Sequence, residues 1–277
     1  MKAKSIERVL VTGGAGFIGS HTTDLLIGCG YHVTILDNLG PQVHGSERKL
    51  PDYINKNAVL ICGDILDRAL LTKTIREVDA VIHLAAMVGV GQSMYQIERY
   101  IDVNTRGTAN LLDILVNAEN NVKKLVVASS MSIYGEGKYH CENCSTNVYP
   151  GLRSEAQLEK KQWDHSCPTC GYPLAPLPTN EEKPLLSTSI YAMTKRHQEE
   201  MCLLIGKTYG IPAVALRYFN IYGSRQALSN PLHRMCRHFH KPHTQQQTTP
   251  HFRRRKPNTR FHPRKQSLRR KIGRAHV

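Results

Sequence analysis

RVLVTGGAGFIGSHTTDLLIGCGYHVTILD, residues 8–37, is the stretch of sequence that decides the fold. Its first five residues are an apolar run of strand type, and the glycine turn 13–19 and a helical pattern follow. A second apolar run ends at Asp37. The stretch therefore predicts a strand, a glycine turn, a helix and a second strand.

The glycine turn has the spacing of a dinucleotide-binding site. Gly14, Gly16 and Gly19 form the pattern GxGxxG, and Asp37 follows Gly19 by 18 residues. The glycines let backbone N–H groups approach a pyrophosphate at a helix N-terminus, where the helix dipole also favours an anion. The acid at the end of the second strand is in the position of a ribose-binding carboxylate. A tight turn without a ligand is the alternative interpretation.

Four further apolar runs alternate with helical patterns such as 107–118. These predicted strands are residues 58–62, 79–84, 124–128 and 213–217. The alternation predicts an α/β fold of the Rossmann type, a doubly wound and mostly parallel sheet. Ligands bind at the carboxyl ends of strands in such sheets. The residues that follow the predicted strands are Asp37, Asp64, Ala85, Ala86, Ser129, Ser130, Tyr218, Phe219 and Asn220. Asp64 as a helix cap and the alanine pair as plain packing are the alternatives.

A tyrosine and a lysine four residues apart are candidates for acid/base chemistry. Tyr191 and Lys195 open a helical pattern that runs to about residue 209, so they lie on one helix face. A phenol with a pKa of about 10 is a poor base at neutral pH, but an adjacent ammonium and an oxidised nicotinamide ring both stabilise the phenolate. The spacing therefore favours a general acid/base that works with hydride transfer. A surface tyrosine beside a solvated lysine is the alternative.

Composition divides the chain at about residue 231. Residues 232–277 hold 14 of the 37 Lys and Arg, no Asp or Glu and 7 of the 14 His, so the first 231 residues are nearly neutral. The tail cannot bury a core and would by itself be a disordered basic arm. The body is long enough for one α/β domain with a buried core. No apolar run approaches the ~20 residues of a membrane span, and no signal peptide is recognised, so a cytoplasmic protein is expected.

Codon degeneracy supports a second interpretation of the tail. Read one nucleotide later, residues 232–239 can encode YTGCAAIF, and residues 248–265 can encode PPLIFEDG, then N or S, then QTRDFIHV. These strings are typical of an ordered domain. A one-base frameshift just after Pro231 is therefore predicted, and residues 271–277 resemble translated adapter sequence. On this interpretation residues 1–231 are the cofactor domain, and the C-terminal substrate domain is missing.

The combined motifs resemble the extended short-chain dehydrogenases/reductases, in their nucleotide-sugar epimerase/dehydratase branch. The resemblance covers residues 1–231 in order, through the strings TGGAGFIG, HLAA, SSMSIYG, YAMTK and RYFNIYG. It implies a tightly held NAD and a dTDP- or UDP-activated sugar as substrate. An acid at position 37 without a following arginine favours NAD over NADP.

The resemblance also implies residue roles. Tyr191 would be the base, Lys195 its electrostatic partner, and Ser130 a hydrogen-bond partner of the sugar hydroxyl. Asp37 would bind the adenosine ribose and Asp64 the adenine. Further cofactor contacts would be Gly13, Gly14, Gly16, Phe17, Ile18, Gly19, Asn38, Ile65, Ala85, Ala86, Asn104, Ser129 and Tyr218, and substrate contacts Ser132 and Asn220.

The residues after Ser130 favour one reaction of that branch. Dehydratases typically carry an Asp-Glu pair there, whereas Met131 and Ser132 follow Ser130 in this chain. The resemblance then implies a 4-epimerase that inverts C4 through a transient 4-keto sugar. A nucleotide-sugar reductase and a 4,6-dehydratase of the same fold are the alternatives. In the restored reading frame, the string RDFIHV would supply the arginine that such enzymes use to bind the nucleotide phosphates. Because this arginine is absent from the present reading frame, the chain is expected to bind NAD poorly or to turn over nothing.

Two CxxC pairs interrupt the catalytic region. Sixty residues separate Ser130 from Tyr191, more than the family commonly has, and they include Cys141, Cys144, Cys167 and Cys170, with 22 residues between the pairs. Two such pairs in a reducing compartment favour zinc over disulfides, and four thiolates leave no open coordination position. A structural zinc ribbon at about 138–180 is predicted; four unliganded thiols are the alternative.

A different functional class also has support. The basic tail and the two CxxC pairs would fit a zinc-containing nucleic-acid-binding protein. The near neutrality of residues 1–231 and the Tyr191/Lys195 pair oppose it, so neither a nucleic-acid partner nor a membrane partner is expected. A homodimer is expected only by analogy with related enzymes.

Overall fold

The structure, a computed structural model, describes residues 6–227. Nine strands lie in this range: β1 Arg8–Thr12, β2 His32–Asp37, β3 Val59–Cys62, β4 Ala80–His83, β5 Lys124–Ser130, β6 Lys138–Cys141, β7 Thr146–Val148, β8 Ala175–Leu177 and β9 Ala213–Tyr218. The eight α-helices of the same range are α1 Phe17–Gly28, α2 Pro41–His44, α3 Arg68–Arg76, α4 Val90–Ser93, α5 Ile97–Tyr100, α6 Gly107–Asn117, α7 Glu155–Glu159 and α8 Ile190–Thr208. A π-helical segment, Ile101–Arg106, joins α5 to α6, and a 3-10 turn, Met131–Tyr134, follows β5.

The main sheet has six strands in the order β3-β2-β1-β4-β5-β9, all parallel. The chain winds outward from β1 to β3 and then crosses back to β4, so the winding reverses between β1 and β4. At such a switch point the loops after the two strands diverge and leave a crevice at the carboxyl ends. The predicted doubly wound sheet is thereby confirmed.

Both faces of the sheet are covered, as the continuous apolar runs of the strands require. Side chains alternate along a strand, so Leu10 of β1 packs into a cluster with Leu71 of α3 and Leu111 of α6. Its neighbours Val9 and Val11 face the opposite side and belong to a second cluster. The apolar core thus covers both faces of the sheet. Because the strands are parallel, the polar groups that follow them lie together at the carboxyl edge.

A second, smaller sheet lies between the 3-10 turn and α8. Its strands pair antiparallel in the order β7-β6-β8. Tyr139, Cys141, Cys167 and Leu174 are the buried residues of its small core. This insert, residues 138–177, therefore lies in the chain between the two candidate catalytic elements, the 3-10 turn after Ser130 and the start of α8.

The predictions for the basic tail 232–277 fall outside the described residues. So does Pro231, after which the frameshift is predicted. In the stretch from Ile6 to Ala227, the structure contains no helix that combines the length and apolar character needed to cross a membrane.

Candidate active site

The glycine turn closes tightly against its neighbours. Gly13 has a φ of +67°, and a Cβ there would lie 2.8 Å from the backbone nitrogen of Ala85. A Cβ on Gly19 would lie 2.3 Å from the carbonyl oxygen of Gly13. Only glycine fits these positions, so α1 begins in close contact with the end of β1.

The N-terminus of α1 fits a phosphate group. Gly16 precedes the helix, and within residues 6–227 no side chain caps that end by a hydrogen bond and its first turn has no acid. The first backbone N–H groups of a helix have no partners within the helix, and the helix dipole attracts an anion to them. Phe17 and Ile18, both predicted cofactor contacts, are the first two residues of α1.

Asp37 is held at the end of β2, beside this turn. Its carboxylate accepts hydrogen bonds from the backbone N–H of Ala15 at 3.0 Å and of Leu39 at 2.9 Å. His44 Nε2 lies 3.9 Å from the same carboxylate. Burial lowers the pKa of His44, and the Asp37 charge opposes that shift. Each carboxylate oxygen keeps an acceptor site for a ribose hydroxyl.

Asp64 and Asn38 meet beside Asp37. The Asn38 amide donates to Asp64 at 2.8 Å, and Asp64 also accepts from the N–H of Leu66 at 2.9 Å. Asp64 does not cap α3: Asp67 does, by accepting from the N–H of Leu70. The capping alternative for Asp64 is therefore wrong.

Ser130 and Ser132 form a hydroxyl pair at the end of β5. The Ser132 hydroxyl donates to Ser130 Oγ at 2.9 Å, and the Ser132 N–H approaches the same atom at 3.2 Å. Ser130 also forms a hydrogen bond with Tyr191, which favours the phenolate. The structure therefore brings the predicted catalytic serine and tyrosine together.

Tyr191 lies in the first turn of α8 and is buried. Its backbone N–H donates to Ser93 Oγ at 2.9 Å, and its ring contacts Tyr100 edge to face with centroids 6.4 Å apart. Burial raises the pKa of the phenol, and the Ser130 hydrogen bond acts in the opposite direction. A nearby positive charge is needed to make Tyr191 a base at neutral pH.

Lys195 can supply that charge. It lies one turn after Tyr191 on α8, and only 4% of its surface is exposed. Burial lowers its pKa to about 8. Nζ donates to Gln198 Oε1 at 2.9 Å. The ammonium is therefore still substantially populated near neutral pH.

The strand ends between the catalytic pair and the glycine turn carry a buried polar network. His83 Nδ1 lies 2.8 Å from Thr12 Oγ1, and His83 Nε2 lies 3.0 Å from Thr108 Oγ1. Burial and the Lys195 charge lower the His83 pKa to about 3, so the imidazole is neutral. Thr12 Oγ1 in turn accepts from the backbone N–H of Ala85 at 3.2 Å.

Asn104 connects two loops of the site. Its amide exchanges hydrogen bonds with the backbone of Met87, at 2.7 and 3.1 Å, and donates to Thr194 Oγ1 at 3.0 Å. Asn104 is fully buried in the π-helical segment. It therefore holds the loop after Ala86 against α8, and a direct cofactor contact stays a prediction.

The remaining predicted site residues occupy three strand ends. Ser129 is buried, and its hydroxyl has no hydrogen-bond partner among residues 6–227, which leaves it able to bind a ligand. Tyr218 pairs in register with Ser130 across β5 and β9. Ile65 is buried against Gly107, whereas Asn220 is exposed beyond β9. Among residues 6–227, the hydrogen bonds of the catalytic pair go to other residues and not to Asn220.

Sequence reasoning missed His83, Gln198 and Ser93 as site residues. His83 lies within the quoted string HLAA, where a polar residue in an otherwise apolar strand was the available signal. Gln198 is three residues after Lys195, on the same face of α8, and 1% exposed. No local sequence signal distinguishes Ser93, whose partner is 98 residues away.

The four cysteines of the two CxxC pairs converge. Their sulfur atoms all lie within 4.8 Å of one another, with 3.5 Å between Cys141 and Cys170 and 3.9 Å between Cys144 and Cys167. A disulfide would need about 2.05 Å. Thiolates around a tetrahedral zinc at Zn–S of about 2.3 Å lie about 3.8 Å apart. The cluster fits a four-coordinate metal.

The cysteine insert is anchored beside the catalytic serine turn. Lys183 Nζ donates to the carbonyl oxygens of Tyr134 and Pro184 at 2.5 and 2.9 Å. Arg153 donates to Glu136 at 2.6 Å. The Lys183–Tyr134 bond joins the two segments that flank the insert, and the Arg153–Glu136 bond connects the middle of the insert to the segment before β6.

A doubly wound parallel sheet with this glycine turn, strand-end acid and Ser, Tyr and Lys set defines an extended short-chain dehydrogenase/reductase. The sequence profile of the NAD dependent epimerase/dehydratase family matches residues 9–155 and 163–252. The chain belongs to that family. The match is interrupted within the cysteine insert.

Similar proteins include nucleotide-sugar 4-epimerases. The chain is 36% identical over 228 residues to dTDP-L-rhamnose 4-epimerase of Burkholderia thailandensis, which covers 81% of this chain and 60% of the relative. A putative UDP-glucose 4-epimerase of Methanocaldococcus jannaschii is 34% identical over 220 residues, 79% of this chain and 57% of the relative. The chain thus spans less than two thirds of these relatives. Other relatives are decarboxylases, including UDP-N-acetyl-alpha-D-glucosaminuronate decarboxylase of Bacillus cytotoxicus at 30% identity.

Solved structures of nucleotide-sugar 4-epimerases are also similar to this chain. A UDP-N-acetylglucosamine 4-epimerase of Methanobrevibacter ruminantium in complex with UDP-N-acetylmuramic acid aligns with a TM-score of 0.60 at 32% identity, over 82% of this chain and 59% of that one. The UDP-glucose 4-epimerase of Thermus thermophilus in complex with NAD aligns with a TM-score of 0.57 at 32% identity, over 79% and 57%.

Proposed function

We propose that the chain is the cofactor-binding part of an NAD-dependent nucleotide-sugar 4-epimerase. The observation that carries the proposal is the buried Ser130–Tyr191 hydrogen bond with Lys195 one turn away, at the carboxyl edge of the sheet. Membership of the NAD dependent epimerase/dehydratase family supports it, as do the 4-epimerases among its relatives. The sugar substrate would carry dTDP or UDP.

NAD fits the crevice between the ends of β1 and β4. The uncapped N-terminus of α1 would bind the pyrophosphate, and Asp37 the hydroxyls of the adenosine ribose. The Asp37 carboxylate would repel a 2′-phosphate, which favours NAD over NADP. The unpartnered Ser129 hydroxyl lies at the end of β5, on the catalytic side of this crevice. When bound, NAD would accept a hydride from the sugar and return it.

The protein's own groups would then move the proton. Tyr191, as phenolate, takes the proton of the C4 hydroxyl while hydride leaves C4, and the sugar becomes a 4-ketone. Return of hydride to the opposite face of C4 and of the proton to the oxygen gives the epimer. Lys195 stabilises the phenolate, and Ser130 orients the hydroxyl through its hydrogen bond to Tyr191. The reaction is balanced because the hydride and the proton are both returned.

Alternative activities of the same fold make different demands. A 4,6-dehydratase would need an acid after Ser130, but the 3-10 turn offers Met131 and Ser132 there. A reductase would release its oxidised cofactor after each turnover. Conversion of the sugar nucleotide without net consumption of NAD therefore distinguishes an epimerase from a reductase.

We also propose that the cysteine cluster holds a structural zinc. Four thiolates complete a tetrahedral shell and leave no position for water or substrate. The small core of the insert is built on two of these cysteines, so folding of the insert and binding of the metal are coupled. A zinc-to-chain ratio near zero in reducing buffer would eliminate this proposal.

Two further proposals concern this particular chain. The frameshift after Pro231 remains a prediction, and with it the expectation that the chain binds NAD poorly or lacks turnover. A homodimer is proposed by analogy only. Light scattering on the purified chain measures its oligomeric state.

The Tyr191→Phe variant tests the proposed base, with Tyr209→Phe as control, because Tyr209 is exposed just beyond α8. Both are made in the chain as it stands and in the chain with its reading frame restored. With dTDP- and UDP-sugars, NMR should show C4 inversion by the restored chain and the control but not by Tyr191→Phe. NAD binding should persist in both restored variants. Inversion by Tyr191→Phe would show that the base is misassigned.

A further inference from the structure

Gln198 is the buried hydrogen-bond partner of the candidate catalytic lysine. Its side chain is 1% exposed, and its Oε1 accepts a hydrogen bond from Lys195 Nζ at 2.9 Å. Within residues 6–227 no carboxylate forms an ion pair with Lys195. The amide oxygen therefore partly replaces the water that the buried ammonium has lost.

The surrounding network determines which end of the amide faces the lysine. Thr108 donates its hydroxyl proton to the carbonyl oxygen of Asn104 at 2.6 Å, so Thr108 Oγ1 can only accept from Gln198 Nε2, which lies 2.8 Å away. Nε2 also lies 3.2 Å from Nε2 of the neutral His83. With one N–H group donated to Thr108, the amide turns its oxygen towards Lys195.

The remaining groups beside Lys195 do not carry a compensating negative charge. His83 is neutral, and burial raises the pKa of the Cys202 thiol to about 12. Tyr191 is the phenol whose ionisation the ammonium is needed to promote. Gln198 is thus the group that orients the ammonium without competing as an anion for its charge.

We propose that Gln198 is a positioning residue for Lys195. Its Oε1 takes one of the three N–H groups of the ammonium, which favours the charged form and leaves two N–H groups for Tyr191 and the bound cofactor. Thr108, behind the amide, keeps it in that orientation. A role in catalysis rests on the proposed function, whereas the effect on Lys195 itself does not.

The test compares Gln198→Leu, which removes the acceptor, with Gln198→Glu, which keeps an acceptor and adds a charge. Gln162→Leu is the matched control, because Gln162 is exposed on the cysteine insert. The readout is the pKa of Lys195, measured by NMR on the full chain labelled at lysine. The signal absent from a Lys195→Met chain identifies the residue.

We expect the pKa of Lys195 to fall by about one unit in Gln198→Leu, the size expected for losing a hydrogen bond to a charged group. In Gln198→Glu it should rise above the wild-type value, and in the control it should not change. An unchanged pKa in a folded Gln198→Leu chain overturns the proposal. If that variant does not fold, a failure of Gln198→Glu to raise the pKa overturns it equally.

A second readout separates this proposal from the proposed function. In an active, frame-restored chain, Gln198→Leu should move the alkaline limb of the pH–rate profile to lower pH, because the Lys195 ammonium is then lost at lower pH, and Gln198→Glu should move that limb to higher pH. A purely structural role would lower thermal stability without ordering the pKa values in this way. If the pKa values shift as expected but no variant inverts C4, positioning stands and the 4-epimerase assignment fails.

Discussion

Replacing Gly19 by alanine should separate α1 from the glycine turn and weaken NAD binding. A Cβ at this position would lie 2.3 Å from the carbonyl oxygen of Gly13 and 2.5 Å from Cα of Gly14. Both are backbone atoms, so the helix must move rather than a side chain rotate. Because the start of α1 is the proposed pyrophosphate site, the same movement withdraws its N–H groups from the ligand.

The magnitude follows from two opposing effects. Alanine is favoured over glycine within a helix by about 1 kcal/mol, whereas overpacking costs about 1–3 kcal/mol, and both contacts here are well inside van der Waals distance. We expect a net loss of about 1–2 kcal/mol, which corresponds to a fall in Tm of roughly 2–8 °C for a domain of this size. NAD affinity should fall at least about tenfold, since the loss of one charge-assisted hydrogen bond is enough for that.

Gly28→Ala is the control, since Gly28 ends the same helix and a Cβ there meets nothing within 4 Å. It should leave Tm unchanged or raise it slightly. Thermal melts and calorimetric NAD titrations of both variants and wild type, all in the frame-restored chain, give the comparison. Equal melting temperatures and equal NAD affinities for the two variants would refute the close-contact argument.

Three further predictions concern pH, metal and the basic tail. The folded-state pKa of His83 is about 3, below its unfolded value of about 6.5, so the free energy of unfolding should fall as the pH drops from 6.5 towards 3, by up to about 3 kcal/mol at pH 4.5. In urea melts, His83→Gln should lose less stability over the same pH range, and equal losses in the two proteins would contradict the burial argument. Cys167→Ser should lower the bound zinc and destabilise the insert, whereas Cys29→Ser, exposed and outside the cluster, should keep the metal content of wild type in elemental assays. Sequencing the DNA from about codon 225 to the stop should reveal one base missing or added; if the reading frame is intact, removal of residues 232–277 should abolish any salt-dependent DNA affinity, and affinity that survives the removal would revive the nucleic-acid-binding class.

Much of the fold could be predicted because its signals are local. The alternating apolar runs and helical patterns identified all six strands of the main sheet, and the structure extends β5 to Ser130 and β9 to Tyr218. The GxGxxG spacing and the position of Asp37 depend on backbone geometry over 30 residues, which a single βαβ unit determines by itself.

The partners of the site residues could not be predicted in this way. The bond between Gln198 and His83 joins residues 115 apart in the chain, and the one between Tyr191 and Ser93 joins residues 98 apart. Such pairs depend on how α8 packs across the sheet. The periodicity of a helix does not determine that packing, because the same periodicity is compatible with many arrangements. The local sequence around Asp64 also allowed a helix cap, until the structure assigned that role to Asp67.

The sequence by itself determined the alternation of apolar strands with helices, the glycine turn, the acids at the strand ends and the four cysteines. Each of these features depends on residues close together in the chain. Only the tertiary structure decided which hydroxyl contacts Tyr191, which group accepts from Lys195, and that the four sulfur atoms lie within reach of one metal. The physical reason is that a buried polar atom must find a partner wherever packing places one. Packing is a property of the whole sheet and its helices rather than of any one segment.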